Sequence, residues 1–158
     1  MTLPRLLIED WLPAAAIGVE CMRERGSASA LAPTTYLHVW WARRPLTVSR
    51  AAVLGSLLPA DFPRDVFERL LGFWGSSRDI VAAQRHLDSA RARNVRIENP
   101  HLGRAFKHGL LEKDLALALG TFKSLWKESP RVIDPMAGGG SIPLEAARLG
   151  LEALVFCS

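Results

Sequence analysis

The residues from Asp134 to Ser141 put an acid, a proline, three consecutive glycines and a hydroxyl into one short run, Asp134-Pro135-Met136-Ala137-Gly138-Gly139-Gly140-Ser141. Glycine has no Cβ, so this backbone can take positive φ and let a ligand come close, while the carboxylate supplies acceptors beside it. A phosphate-cradling loop needs Lys followed by Ser or Thr after its last glycine, and neither follows Gly140. A dinucleotide fingerprint carries its third glycine deeper in the helix, where this chain has Pro143. Two readings remain: a ligand-binding turn of another type, or a tight turn with no ligand.

The flanking residues are those that would hold such a turn in place. Val132 and Ile133 are β-branched and predict a short strand, covered on both faces as in a parallel sheet. Ser141 is expected to cap a helix whose first turn tolerates Pro143. Leu144, Ala147 and Leu149 give that helix an apolar face, and Gly150 stops it. Leu154-Val155-Phe156 then starts a second strand. Strand, glycine turn, helix and strand in this order form the opening unit of a nucleotide-binding α/β sheet.

A second unusual stretch is His38-Val39-Trp40-Trp41-Ala42-Arg43-Arg44-Pro45-Leu46. Arginine can stack on an indole or grip a carboxylate, and tryptophan offers a flat face to a purine; equally, the tryptophans can be core and the arginines solvated. The two stretches together carry a resemblance. The run from Asp134 to Ser141 resembles the cofactor loop of S-adenosylmethionine-dependent methyltransferases, in the form found in enzymes that methylate exocyclic amino groups of DNA bases. Leu7-Ile8-Glu9, Leu12-Pro13 and the Trp-Trp-Ala-Arg-Arg-Pro run look like the N-terminal region, a domain of unknown function, of a prokaryotic family described as adenine-specific DNA methylases.

The resemblance implies S-adenosylmethionine as cofactor, its methionine end wrapped by Asp134, Pro135, Met136, Ala137, Gly138, Gly139, Gly140 and Ser141. Arg44 and Pro45 would form the opposite wall, with His38, Trp40 and Arg43 as further candidates. The implied activity is methylation of DNA, at adenine, in a restriction–modification or phage-defence setting. An RNA or protein methyltransferase shares the loop, and an inactive DNA- or protein-binding module would retain it.

The 158 residues, 49% apolar, with a net charge of +4 and pI near 9.6, suffice for one domain with a real core. No apolar run has the length of a membrane span, and no signal peptide opens the chain, so the cytoplasm is expected. Cys21 and Cys157 alone exclude a disulfide framework and a zinc ribbon. A helix is predicted from Pro13 to Arg25, ended by Gly26, and another from Leu46 to Leu58. Asp61-Phe62-Pro63 opens a third, with Val66, Phe67, Leu70, Leu71, Phe73 and Trp74 inward. Leu111, Leu115, Leu119, Phe122 and Trp126 mark an amphipathic helix over 110–126. The fold expected is therefore an incomplete α/β type: a mostly helical region, 1–128, leading into the first strand, turn, helix and strand of a Rossmann-like methyltransferase sheet, 129–158.

Between Gln84 and His108, Arg85, Arg91, Arg93, Arg96, Arg104 and Lys107 face only Asp88 and Glu98. Arg91, Arg93, Arg96, Arg104 and Lys107 are candidates to contact DNA phosphates; a solvated helix and loop is the other reading. His86, His101 and His108 share no metal-ligand spacing with an acid, and no metal site is expected. Amino-methyltransferases hold the target amine with Asp/Asn-Pro-Pro-aromatic. The nearest run here, Asn99-Pro100-His101-Leu102, lacks the second proline and the aromatic and reads as a turn, so no catalytic residue is assigned. No acid follows the second strand to bind ribose hydroxyls, where Phe156-Cys157-Ser158 stand. The expectation is the leading part of a methyltransferase, arising as a truncated gene, one half of a split enzyme or an inactive remnant, with a complementary chain carrying the rest of the sheet.

Overall fold

The computed structural model describes residues 4–26 and 44–156. His38, Trp40, Trp41, Arg43 and Cys157 lie outside the described residues. The elements run α1 (Leu7–Asp10), α2 (Ala14–Arg25), α3 (Leu46–Gly55), α4 (Arg64–Leu70), α5 (Ser77–Ala92), a 3-10 turn (Ala105–Lys107), α6 (Glu112–Trp126), β1 (Arg131–Asp134), α7 (Ser141–Arg148) and β2 (Glu152–Val155). β1 and β2 pair in parallel, with Val132 opposite Ala153 and Ile133 opposite Leu154. A mostly helical body thus carries the strand–turn–helix–strand unit that the sequence predicts, the opening of a methyltransferase-like α/β sheet.

Local chemistry accounts for most boundaries. Gly26 ends α2 with its N–H on the Met22 carbonyl at 2.9 Å. α7 closes in a Schellman motif: Gly150, at φ +75°, donates to Ala147 and Leu151 donates to Ala146, each at 3.0 Å. α5, which the apolar pattern does not reveal, is announced instead by Ser76 and Asp79: the Ser76 hydroxyl accepts the Asp79 N–H while the Asp79 carboxylate accepts the Ser76 N–H at 3.0 Å.

One core cluster joins the helical body to the residues after the glycine turn. Leu7, Leu54, Phe67 and Leu70 share it with Ala146, Leu149 and Leu151. α7 packs on α3 and on both strands, so α7 covers the sheet face that carries Val132 and Ala153. The other face is open among the described residues: Ile133 is 61% exposed and its neighbour across the ladder, Leu154, is exposed too. The expectation of a strand covered on both faces is corrected accordingly, because among the described residues helices reach this sheet from one side only.

Three further expectations change. Trp74 is not core: Gly72 and Gly75, at φ +83° and +88°, swing the chain so that Phe73 enters the core and Trp74 emerges to stack on His108, ring centroids 4.6 Å apart. Leu111 stands exposed at the N-cap of α6, whose buried stripe is carried by Ala118 and Phe122. In α7 Ala147 faces solvent, and the buried positions are Ser141, Glu145 and Ala146.

Glu145 is fully buried because Arg50 of α3, 1% exposed, meets it. Arg50 Nε donates to Glu145 Oε2 at 2.5 Å and Arg50 Nη1 to the Leu70 carbonyl at 3.2 Å, while Arg148 donates to Glu145 Oε1 at 2.9 Å. Removing one partner strands a buried charge, so Arg50→Met is expected to cost about 3–5 kcal/mol in urea unfolding, whereas Arg50→Met with Glu145→Leu should recover most of that loss.

Candidate functional site

The glycine turn starts at the buried end of β1. Asp134 is 7% exposed, and its Oδ1 accepts the Met136 N–H at 3.1 Å, turning the chain immediately after the strand. Gly138 and Gly140 take φ of +52° and +72°, and the Gly140 N–H closes the turn on the Ala137 carbonyl at 2.9 Å. A Cβ on Gly138 would come no nearer than 4.0 Å to the Met136 carbonyl oxygen, and one on Gly140 would meet nothing within 4 Å. These two glycines are required by left-handed backbone, not by crowding from the rest of the protein, and the space above them is open.

Gly140, not Ser141, is the N-cap of α7, which corrects the role expected of that serine. As the first helical residue Ser141 does not cap the helix, and its buried hydroxyl donates to the Arg44 carbonyl at 2.7 Å. That bond holds the segment before α3 against the glycine turn. Arg44, Asp134, Met136, Ala137, Gly138, Gly139, Ser141 and Ile142 line a hollow of about 80 Å³ between them. Of the predicted residues, Pro135 and Gly140 belong to the turn without lining this hollow, and Pro45 stands at the N-cap of α3.

Pro45 has no side chain to cap α3, and Glu24 at the end of α2 does so instead. Its Oε1 accepts the Leu46 N–H at 2.9 Å; its Oε2 accepts the Thr47 N–H at 3.3 Å and the Thr47 hydroxyl at 3.4 Å. Sequence reading does not find this residue, since the cap arrives from another helix. Arg50 and Glu145 were missed for the same reason, although an acid set between Ile142, Ala146 and Leu149 on an otherwise apolar helical face was a readable signal. Burial raises the Glu24 carboxyl above its ordinary value, against the opposing pull of the Leu46 and Thr47 hydrogen bonds. The neighbouring Cys21 thiol is pushed up to about 11, first by burial and then by Glu24.

The basic candidates scatter among different duties. Arg104 donates to the Arg23 carbonyl at 2.7 Å, part of a clasp in which Arg23 also reaches the Gly103 carbonyl at 3.0 Å and Glu20 accepts the Ala105 N–H at 3.0 Å. Arg91 lies 3.8 Å from Asp88, and Arg93 donates to the Ser89 carbonyl at 3.2 Å, both at the surface. Arg96 and Lys107 are exposed. Asn99 Oδ1 accepts the His101 N–H at 3.0 Å, so Asn99-Pro100-His101 forms a turn as expected. His101 is held below its usual value, chiefly by burial. Among the described residues no group of acids, histidines and cysteines could hold a metal, and no helix is long and apolar enough to cross a membrane.

The strand tip, the left-handed glycine turn and the open hollow at its mouth lie in a stretch that the sequence comparisons match to a methyltransferase domain. Residues 100–156 match the model of the RMKL-like methyltransferase domain. Residues 11–73 match that of a protein of unknown function, DUF1156, so the chain joins a DUF1156 region to a methyltransferase-like region. No curated protein and no solved structure matches the chain. Arg44 comes from the first region and the glycine turn from the second; the hollow lies between them.

Two measurements probe this arrangement. Ser141→Ala should cost about 1 kcal/mol through the lost bond to Arg44, and Gly140→Ala about 1–2 kcal/mol through left-handed strain, both read from denaturant midpoints. Because the Glu24 carboxyl is raised in the folded state, its contribution is fully present below the unfolded value near 4.5 and is lost as pH rises through the folded value. The stability difference between wild type and Glu24→Gln should therefore shift against wild type across that window and be flat on either side of it.

Proposed function

We propose that the glycine turn and the Arg44 segment are the two facing walls of an S-adenosylmethionine site, and that the chain serves methylation of an exocyclic amino group of DNA, with adenine as the base. The observation that carries this reading is the open, left-handed turn at Gly138 and Gly140, set within a methyltransferase-matched region and closed against Arg44 by Ser141. Asp134, Pro135, Met136, Ala137, Gly138, Gly139, Gly140 and Ser141 would cradle the methionine end, with Arg44 and Pro45 opposite. The cofactor supplies an electrophilic methyl group; the chain's own part is to hold and orient it and to keep water from that end.

The hollow of about 80 Å³ is small beside the ~300 Å³ or more of a typical small-molecule site. These residues therefore account for one end of a pocket. The proposal assigns the rest to a segment or complementary chain that continues the sheet over the exposed Ile133, Leu154, Val155 and Phe156. In this reading residues 1–128 form the helical region and 129–158 begin the methyltransferase domain, working in the cytoplasm. Arg91, Arg93, Arg96, Arg104 and Lys107 are proposed to face DNA phosphates, with Arg104 also holding the loop that carries Lys107.

Binding without catalysis by this chain alone is a second reading, favoured by one contact. The Asn99 side-chain oxygen accepts the His101 N–H and so serves the local turn, in a run without the second proline and aromatic that would hold a substrate amine. Calorimetric titration of the chain with S-adenosylmethionine should give saturable binding that Gly138→Val abolishes. Transfer of labelled methyl to duplex DNA, with RNA and protein as competing acceptors and any complementary segment added, identifies the substrate. Absence of cofactor binding with and without that segment overturns the cofactor assignment; binding without transfer selects the non-catalytic reading.

A further inference from the structure

A second and larger hollow, about 490 Å³, lies between the start of α2 and the exposed side of α5. It shares no residue with the glycine-turn hollow. Its floor is apolar: Trp11, Leu12 and Val81 are partly buried against the core, and the small Ala14 and Ala15 leave room above it. Its rim is cationic. Arg78 and Arg85 are exposed, and among the described residues neither forms an ion pair or hydrogen bond. The first turn of α2 carries no acid, so the positive end of that helix dipole is uncompensated on the same side.

Ser77, Arg78, Val81, Ala82 and Arg85 of α5 line the groove, the last four spaced i, i+3, i+4 and i+7. On one helix face this sets two cations about 10 Å apart along the axis, with an apolar seat between them. From this pattern we propose that the groove docks an amphipathic helix of a partner protein bearing the complementary stripe: acid, two apolar residues, acid, at the same spacing. The apolar residues would fill the seat over Trp11, Val81 and Ala82 while the acids meet Arg78 and Arg85. A nucleic acid backbone matches the charge but not the floor, which beyond the Trp11 indole and Ser77 at one end offers it only apolar side chains. The proposal does not depend on methyl transfer: α5 belongs to the segment, residues 74–99, that lies outside both matched regions.

The test uses the full chain and a fluorescein-labelled helical peptide built on Glu-x-x-Leu-Leu-x-x-Glu, read by fluorescence anisotropy. Wild type should bind it saturably and lose affinity with added salt. Arg78→Glu with Arg85→Glu should weaken binding about tenfold, as for two rim ion pairs near the top of the surface range, and a Lys-x-x-Leu-Leu-x-x-Lys peptide should reverse the preference in that variant. Ala82→Trp, which fills the seat and leaves the charges, should also weaken binding. Circular dichroism melts establish that both variants remain folded. Failure of the acidic peptide to bind wild type overturns the proposal, as does equal binding of the acidic and basic peptides. Displacement of the acidic peptide by a single-stranded oligonucleotide with Ala82→Trp indifferent to both also overturns it, and assigns the rim to nucleic acid.

Discussion

Arg50 and Glu145 meet where solvent does not reach, one on the helix that follows Arg44 and one on the helix that follows the glycine turn. A buried carboxylate and guanidinium are each costly alone and tolerable only together, so this pair constrains α3 and α7 to a single relative placement. Its other partners extend the constraint: Arg50 reaches the end of α4 through the Leu70 carbonyl, and Glu145 accepts from Arg148. The hydrophobic contact between α3 and α7 would hold them together, but apolar packing is tolerant of sliding, while an ion pair with defined hydrogen bonds is not. The opening between Arg44 and the glycine turn is a consequence of that placement.

Two local devices finish what the ion pair begins. Glu24 caps α3 from another helix, because Pro45 leaves the helix with no cap of its own, and so it places Arg44 at the hollow. The left-handed Gly140 takes over the N-cap of α7, which releases the Ser141 hydroxyl to bind the Arg44 carbonyl. The first device fixes the helix that follows Arg44, and the second ties Arg44, from the region matched to DUF1156, directly to the helix that follows the glycine turn. The region matched to DUF1156 therefore supplies one wall of the hollow, and the two matched regions share one core.

Much of this was legible in the chain itself where the signal is local. The strand ending at Asp134, the glycine turn, the helix stopped by Gly150 and the return strand follow from β-branched residues, positive φ and the end of an apolar face, all within a short span. The same holds for Gly26 after α2 and for the stripe ending in Phe122 and Trp126. Helix α5 escaped because its face is mostly polar and its start is marked only by the reciprocal bonds of Ser76 and Asp79. Trp74 misled because size and apolarity argue for burial, whereas two positive-φ glycines reversed the direction of the chain around it.

The amino-acid sequence by itself determined the order of elements, the class of turn between β1 and α7 and the residues able to adopt it, since these depend on interactions between near neighbours. Only the tertiary structure decided that Ser141 binds Arg44 and does not cap its own helix, that Glu24 caps a helix it does not belong to, and that Glu145 points inward to Arg50. Those pairings span separations of 22 to 97 residues. A carboxylate or hydroxyl carries no record of which distant partner will reach it, and packing alone brings that partner within range.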